Sequence, residues 1–206
     1  MLRLAFRQAF LALLITGAAA ALLATVVRVE AAEGRKWVAG GYSFSDELGG
    51  FIITSVSGSG TKDDPVVIEE ELQSGNPVTL VIRAESMLGP FSLGGDAGIG
   101  FTHFRFVARN NSNLAWIEYE FELQEIKDMP SLFGDGLSFD QRRMDGEDIH
   151  SDSFERFSRD FEPYDRLRFT NGKVDPLDYA SFEFMITDFT PRWTYYIVQD
   201  PHVPSS

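Results

Sequence analysis

The chain contains no cysteine, so it has neither disulfide bonds nor cysteine-based metal or nucleophilic sites. Small exported domains of eukaryotes are usually cross-linked by disulfides. The absence of cysteine therefore indicates a bacterial export route and a core large enough to be stable without cross-links. It also excludes a lipid anchor attached through cysteine.

Basic residues are scarce: 18 Lys and Arg stand against 31 Asp and Glu, which gives a net charge of −13. Nucleic-acid binding requires clustered Lys and Arg, so we expect no nucleic-acid partner. Anionic membrane surfaces repel a protein of this charge, and we expect no membrane insertion of the mature chain.

The motifs of well-known catalytic and metal sites are missing. There is no GxSxG, HExxH, HxH, GxGxxG or GxxxxGK[ST] sequence, which argues against local hydrolase, zinc and nucleotide signatures. Only three histidines occur, and they are far apart in the sequence: His103, His150 and His202. Composition and motifs together favour a protein without an enzymatic centre.

The N-terminal segment has the features of a signal peptide. Arg3 and Arg7 precede an uncharged stretch over residues 9–27, and Val29 and Ala31 supply small residues at a cleavage site. This pattern predicts a signal peptide over residues 1–31 and a secreted or periplasmic protein. An uncleaved N-terminal anchor is the alternative, since about 20 apolar residues can span a bilayer. Removing residues 1–31 takes away three arginines and one glutamate and leaves a net charge of −15.

Short segments of alternating polarity dominate residues 32–206. Ile117, Tyr119, Phe121 and Leu123 alternate with polar residues, which is typical of a half-buried strand. Further strands are predicted over residues 66–72 and 78–84, and many others follow at short spacing. This pattern predicts an all-β fold: a single antiparallel β-sandwich or jelly roll with one long acidic loop and one short helix.

Turn-forming residues suggest how neighbouring strands connect. Residues 38–44 and 50–56 flank the turn-like segment 46–49 and are predicted to form a hairpin. Asn171 and Gly172 are the preferred pair of a type I′ turn and predict a second hairpin.

Residues 128–165 hold 11 acidic and four basic residues and are predicted to form the long acidic loop. Phe154, Phe157 and Phe161 have helical spacing within it and predict the short helix. Flexible loops rich in carboxylates suit calcium, although no EF-hand pattern is present. The candidate calcium ligands are Asp140, Asp145 and Asp148. The same acidic segment also contains Asp135, Glu147 and Asp152.

Glu118, Glu120 and Glu122 share one face of the predicted strand. This pattern resembles the Glu-x-Asp-x-Glu strand of laminarinase-like retaining glycosidases, which have a jelly-roll fold. The resemblance implies Glu118 as nucleophile, Glu122 as acid/base, and Glu120 at the position of the family's Asp. Retention requires carboxyl groups about 5–5.5 Å apart, whereas Cα atoms at i and i+4 of a strand are about 13 Å apart. The alternative is a solvated strand face in an acidic protein.

A second resemblance covers about 25 residues. The turn 110–112 (Asn-Asn-Ser), followed by Trp116, Tyr119, Phe121 and Leu123, resembles secreted bacterial β-sandwich proteins in which such a turn precedes a Trp-bearing strand. Most of those proteins have no assigned activity, so the resemblance implies a fold and no chemistry.

Three functional hypotheses remain. The leading one is an exported, non-enzymatic β-sandwich that binds an unknown protein or carbohydrate ligand, or has a structural role, and uses no cofactor. The alternatives are the glycosidase and a calcium-dependent surface protein. Aromatic residues could also form a sugar-stacking platform, although such residues are more often part of the core; they are Trp37, Trp116, Trp193, Tyr195 and Tyr196.

Overall fold

A computed structural model of the chain describes residues 36–85, 100–140, 148–160, 163–190 and 192–204. In these ranges the secondary structure consists of thirteen strands and a 3₁₀ turn at Phe133–Asp135. The strands are β1 Trp37–Ala39, β2 Tyr42–Ser45, β3 Phe51–Ser57, β4 Val66–Leu72, β5 Val78–Ala84, β6 Phe101–Asn110, β7 Glu118–Gln124, β8 Leu137–Phe139, β9 His150–Ser151, β10 Phe154–Asp160, β11 Arg166–Gly172, β12 Tyr179–Asp188 and β13 Thr194–His202.

The strands form two sheets that pack face to face as a β-sandwich, which confirms the predicted fold class. One sheet has seven strands in the order β1-β2-β5-β13-β7-β11-β10. The other has six: β3-β4-β6-β12-β8, with β9 also pairing with β12. The pairing is antiparallel except between β4 and β6, which run parallel over the whole length of β4.

Aromatic rings fill the space between the sheets. Phe121 of the seven-stranded sheet lies 5.2 Å from Phe106 and 4.9 Å from Phe184 of the six-stranded sheet, measured between ring centroids. The rings of Tyr119 and Phe182 are 4.5 Å apart across the same interface. These side chains are essentially inaccessible to solvent. The alternation predicted for β7 therefore places Phe121 in the core, as expected.

The turn over residues 110–112 is held together by a buried asparagine. The side-chain amide of Asn110 donates hydrogen bonds to the carbonyl oxygens of Leu114 (2.8 Å) and Val174 (3.0 Å). Its side-chain oxygen accepts a hydrogen bond from the Ser112 hydroxyl at 2.6 Å. Each polar atom of this buried side chain thus has a partner, as burial requires. The turn delivers Trp116 to the core, where it is fully buried.

The acidic segment is not one long loop, and the predicted helix within it is wrong. Residues 154–160 form strand β10, which pairs with β11 from Phe154↔Gly172 to Asp160↔Arg166. Phe154 stacks on Phe182 of the core at 5.9 Å. The three-residue spacing of Phe154 and Phe157 is compatible with a helix, but the segment forms a strand because its backbone pairs with β11. Phe161 lies outside the described residues.

Both predicted hairpins are wrong. Strand β2 pairs with β1 and β5, whereas β3 pairs with β4, so the turn at residues 46–49 connects the two sheets. The Asn171-Gly172 pair lies at the end of β11, opposite Phe154. A Cβ atom at Gly172 would come within 2.0 Å of the carbonyl oxygen of Ser153, so close approach of the neighbouring chain explains this glycine.

The described residues include no helix that is long and apolar enough to span a membrane. The predicted signal peptide, residues 1–31, lies outside the described residues.

Candidate functional site

The six-stranded sheet has one face in the core and an outer face. On β6, Phe104 and Phe106 are buried in the core, whereas His103 and Arg105 alternate with them and point outward. Glu183 of β12 is the cross-strand neighbour of Arg105. The period of two that makes the inner face apolar therefore collects polar side chains on the outer face.

Arg105 and Glu183 form the centre of a polar row across this outer face. The Arg105 guanidinium forms an ion pair with the Glu183 carboxylate. The Nε2 atom of His150 lies 3.3 Å from the other oxygen of Glu183. His150 is part of β9, which pairs with β12 directly opposite Glu183. Strand register thus brings one residue each from β6 and β9 to a carboxylate of β12.

A hollow of about 240 Å³, which we call the first hollow, lies at this row. Its polar lining combines potential cations and anions and includes two of the chain's three histidines. Lys62 and Asp148 form an ion pair at 2.5 Å beside it. The residues that line it are Lys62, Pro65, His103, Phe104, Asp148, His150, Glu183 and Phe184.

A tight loop between β3 and β4 carries Lys62 to the hollow. The backbone N–H groups of Ser59 and Gly60 donate to the carbonyl oxygen of Asp64, and the N–H of His103 donates to the carbonyl oxygen of Gly60 at 2.9 Å. Gly58 has φ +95°, and a Cβ atom there would lie 1.9 Å from the Pro65 carbonyl oxygen. The Ser-Gly run is thus required by close backbone packing.

A second hollow of about 300 Å³ lies on the same sheet, where Val107 is four residues beyond His103 along β6. Arg109 donates to Glu71 at 3.1 Å, and its guanidinium carbon lies 5.7 Å from the centre of the Tyr179 ring. Tyr179 is 60% exposed. The lining residues are Thr54, Glu69, Glu70, Glu71, Val107 and Tyr179. The outer face therefore offers two neighbouring depressions and an accessible aromatic ring.

The three glutamates of β7 lie on the outer face of the other sheet, where arginines of β11 pair with them. Arg168 binds Glu118, and Arg166 binds Glu122 at 2.7 Å and lies 3.4 Å from Glu120. The Glu120 side chain is only 15% exposed, so the solvated strand face given as the alternative interpretation does not describe this residue. Because β11 lies alongside β7, its arginines cover the carboxylates and stabilise the charge ladder.

Charged partners hold the three carboxylates in position. Burial raises the pKa of Glu120, and the charge of Arg166 opposes that shift. Gln124 donates a hydrogen bond to Glu122 at 2.8 Å, which adds a further fixed contact. None of the three glutamates lines either hollow described above. The glycosidase hypothesis stays a prediction.

The candidate calcium ligands divide between different surroundings. Asp140 is fully buried, and its N–H donates to the Met185 carbonyl oxygen. Neither of its carboxylate oxygens has a hydrogen-bond partner among the residues that the structure describes. Asp148 forms an ion pair with Lys62. Asp145 lies outside the described residues. In the described part of the chain, no group of three or more ligating side chains could hold a metal ion.

Two other acidic residues of this segment stabilise the backbone. The Asp135 carboxylate accepts hydrogen bonds from the N–H groups of Leu132 and Leu137, both at 2.9 Å. Asp152 accepts from the N–H of Ser181 at 2.8 Å. Glu147 lies outside the described residues. Some carboxylates of the acidic segment therefore stabilise the local backbone by accepting hydrogen bonds.

Sequence reasoning missed a buried polar contact between the sheets. Gln199 of β13 donates to Glu70 of β4 at 3.0 Å and accepts a hydrogen bond from the Tyr119 hydroxyl at 2.8 Å. Burial raises the pKa of Glu70 to about 8. The signal was present in the sequence, since Glu70 is in phase with the core residues Ile68 and Leu72.

Two further carboxyl groups are also protonated more readily than usual. Burial raises the pKa of Asp165 to about 7 and that of Asp188 to about 6. The charges of Glu125 and Asp135 add to the shift at Asp188. Between about pH 4 and the raised pKa of each group, the folded protein thus retains protons that its unfolded chain has already released.

The five aromatic residues considered for a sugar platform do not all share one exposed surface. Trp116 and Tyr195 are buried in the core. Trp193 is exposed, at the start of β13. The exposed ring of Tyr179 on the outer face was not among the predicted platform residues.

Comparison of the chain with protein-family models, curated proteins and solved structures found no match.

Proposed function

We propose that the protein is an exported, non-enzymatic binding module and that its ligand binds on the outer face of the six-stranded sheet. The observation that carries the proposal is the first hollow, where Lys62, His103, Asp148, His150 and Glu183 meet from two loops and three strands. Concave sites with a few convergent polar groups are the usual binding sites of proteins.

The proposed ligand is a neutral carbohydrate. Among the described residues, the charged groups at the first hollow occur as ion pairs, Lys62–Asp148 and Arg105–Glu183, so their charges cancel, which favours a neutral ligand. Carboxylate, imidazole and ammonium groups together supply both acceptors and donors for hydroxyl groups. A volume of about 240 Å³ suits a single sugar unit, and the second hollow with Tyr179 would accept a further unit of the same chain.

Binding is tested by titrating the protein with neutral oligosaccharides from glucans, galactans and mannans, followed by calorimetry. Glu183→Gln should weaken binding by about tenfold or more, because a hydrogen bond to a charged group contributes roughly 1.5–3 kcal/mol. Tyr179→Ala should weaken binding of longer chains more than that of single sugars. Glu118→Gln, on the opposite face, is the matched control and should bind as the unmodified protein does.

Two results would contradict this assignment. One is an absence of binding across the whole panel. The other is equal loss of binding in Glu118→Gln and Glu183→Gln. Release of reducing ends that depends on Glu118 would support the glycosidase hypothesis instead.

Export is tested by sequencing the N-terminus of the protein recovered from a bacterial host. Cleavage after Ala31 should give a mature chain that begins at Ala32, in the periplasm or the medium. Recovery of the chain with Met1 intact in the membrane fraction would show the uncleaved anchor instead.

A further inference from the structure

Strand β10 forms one edge of the seven-stranded sheet. It pairs with β11 on one side, and in the described part of the chain no strand pairs with its other side. Glu155 to Ser158 and Asp160 are all exposed, and Arg159 is half-buried. An exposed edge strand presents backbone N–H and C=O groups to which another strand can bind.

The other edges of the sandwich are shorter or interrupted. Strand β1 has three residues, and β3 has a register shift between Ile53 and Ser55. Strand β8 also has three residues, and side chains cap its backbone: Asp165 accepts from the Phe139 N–H, and Arg159 donates to the Phe139 carbonyl oxygen. Strand β10 combines seven residues with regular pairing along its partner.

We propose that β10 pairs with β10 of a second copy of this chain, antiparallel and around a two-fold axis at Phe157. This register places Phe157 opposite itself and Glu155 opposite Arg159 of the second copy. It also places Arg156 opposite Ser158. Like charges therefore never face each other directly, and the Glu155–Arg159 pairing occurs twice by symmetry.

In this register the pairing extends over the whole length of β10. Its ends pair Phe154 with Asp160 of the second copy, so all seven residues of β10 take part. Pairing would cover the Phe157 ring, which is 37% exposed in the single chain. The negative charge of the two copies opposes association, and salt screens that repulsion over about 8–10 Å. The dimer should therefore become stronger as salt concentration rises.

Such a dimer would also affect ligand binding, an expectation that rests on the proposed function. The two-fold axis of an antiparallel strand pair is perpendicular to the sheet. Both six-stranded sheets would then lie on the same side of the joined seven-stranded sheets, and both outer faces would point the same way. Such a dimer could bind two sites on one polysaccharide, which raises the apparent affinity without any new contact.

Engineered cysteines test the pairing directly, because the chain contains no cysteine of its own. Residues directly opposite in an antiparallel pair have Cα atoms about 4.5–5.5 Å apart, within the range of a disulfide bond. Phe157→Cys should therefore form a covalent dimer on mild oxidation. Ser158→Cys should react far less, since its two copies would be displaced by two residues. Ile52→Cys, exposed on edge strand β3, is the matched control and should form no covalent dimer.

Sedimentation of the unmodified full-length mature protein provides an independent measurement. The protein should show a reversible, salt-strengthened dimer, and Glu155→Arg should raise the dissociation constant by about tenfold by placing Arg opposite Arg159. The proposal is overturned if Phe157→Cys cross-links no faster than Ile52→Cys, or if the unmodified protein stays monomeric at every soluble concentration. Binding of single sugars should not change in these variants, so failure of this inference is distinguishable from failure of the proposed function.

Discussion

Replacing Glu70 with glutamine is expected to raise the free energy of unfolding at pH 8 by on the order of 3–5 kcal/mol. At pH 4 the same change should have little effect. The reason is that burial raises the pKa of Glu70 from its ordinary value of 4.5 to about 8 in the folded protein. Within the described residues its Oε1 atom has no hydrogen-bond partner, so ionisation there is poorly compensated.

Proton linkage explains why stability falls as pH rises. Between pH 4.5 and 8 the unfolded chain releases the Glu70 proton, whereas the folded protein retains it. The unmodified protein is therefore progressively destabilised as pH rises through this window. Glutamine resembles the protonated carboxyl group in shape but does not titrate, so the variant should lose this part of the pH dependence.

Urea unfolding at several pH values between 4 and 8.5 measures the effect. Glu69→Gln is the matched control, because Glu69 is the neighbouring residue and is exposed on the outer face of β4. It should follow the unmodified protein at each pH. A stability difference between Glu70→Gln and the unmodified protein that does not change with pH would contradict the prediction.

Phe121→Ala is expected to lower the free energy of unfolding by about 3–5 kcal/mol. The Phe121 ring is fully buried and lies within 5.2 Å of the ring centres of Phe106, Phe182 and Phe184. Truncation would remove these contacts and leave a cavity between the sheets, which close-packed neighbours can fill only in part.

Glu120→Thr on the same strand is the control for Phe121→Ala. Its side chain faces outward near Arg166, and burial disfavours the ionised form of Glu120. Threonine suits a strand and removes a carboxylate from a crowded acidic row, so stability should change little. Thermal and urea unfolding compare the two variants. Equal losses of stability would show that the face assignment of β7 is incorrect.

Local patterns in the sequence were sufficient to predict several strands. The predicted segments 66–72 and 78–84 match β4 and β5 at both ends. The alternation over β7 placed Phe121 in the core. These predictions succeeded because an apolar inner face imposes a period of two on each strand, whichever strands become its neighbours. Glu70 shows the limit of this information, because its phase indicates burial but not its partner, Gln199.

Pairing between distant segments was decided only by the tertiary structure. Phe154 and Phe157 have spacing compatible with a helix, and contact with β11 and the core makes them part of a strand. The first hollow has the same origin: Lys62 and Asp148 are 86 residues apart in the chain and meet over the outer face. A local pattern reports which side of a strand is apolar. It does not report which strand lies alongside, because that choice depends on the packing of the whole sandwich. The sequence by itself determined several strands and their core-facing residues, and the tertiary structure determined which strands pair and where the two hollows form.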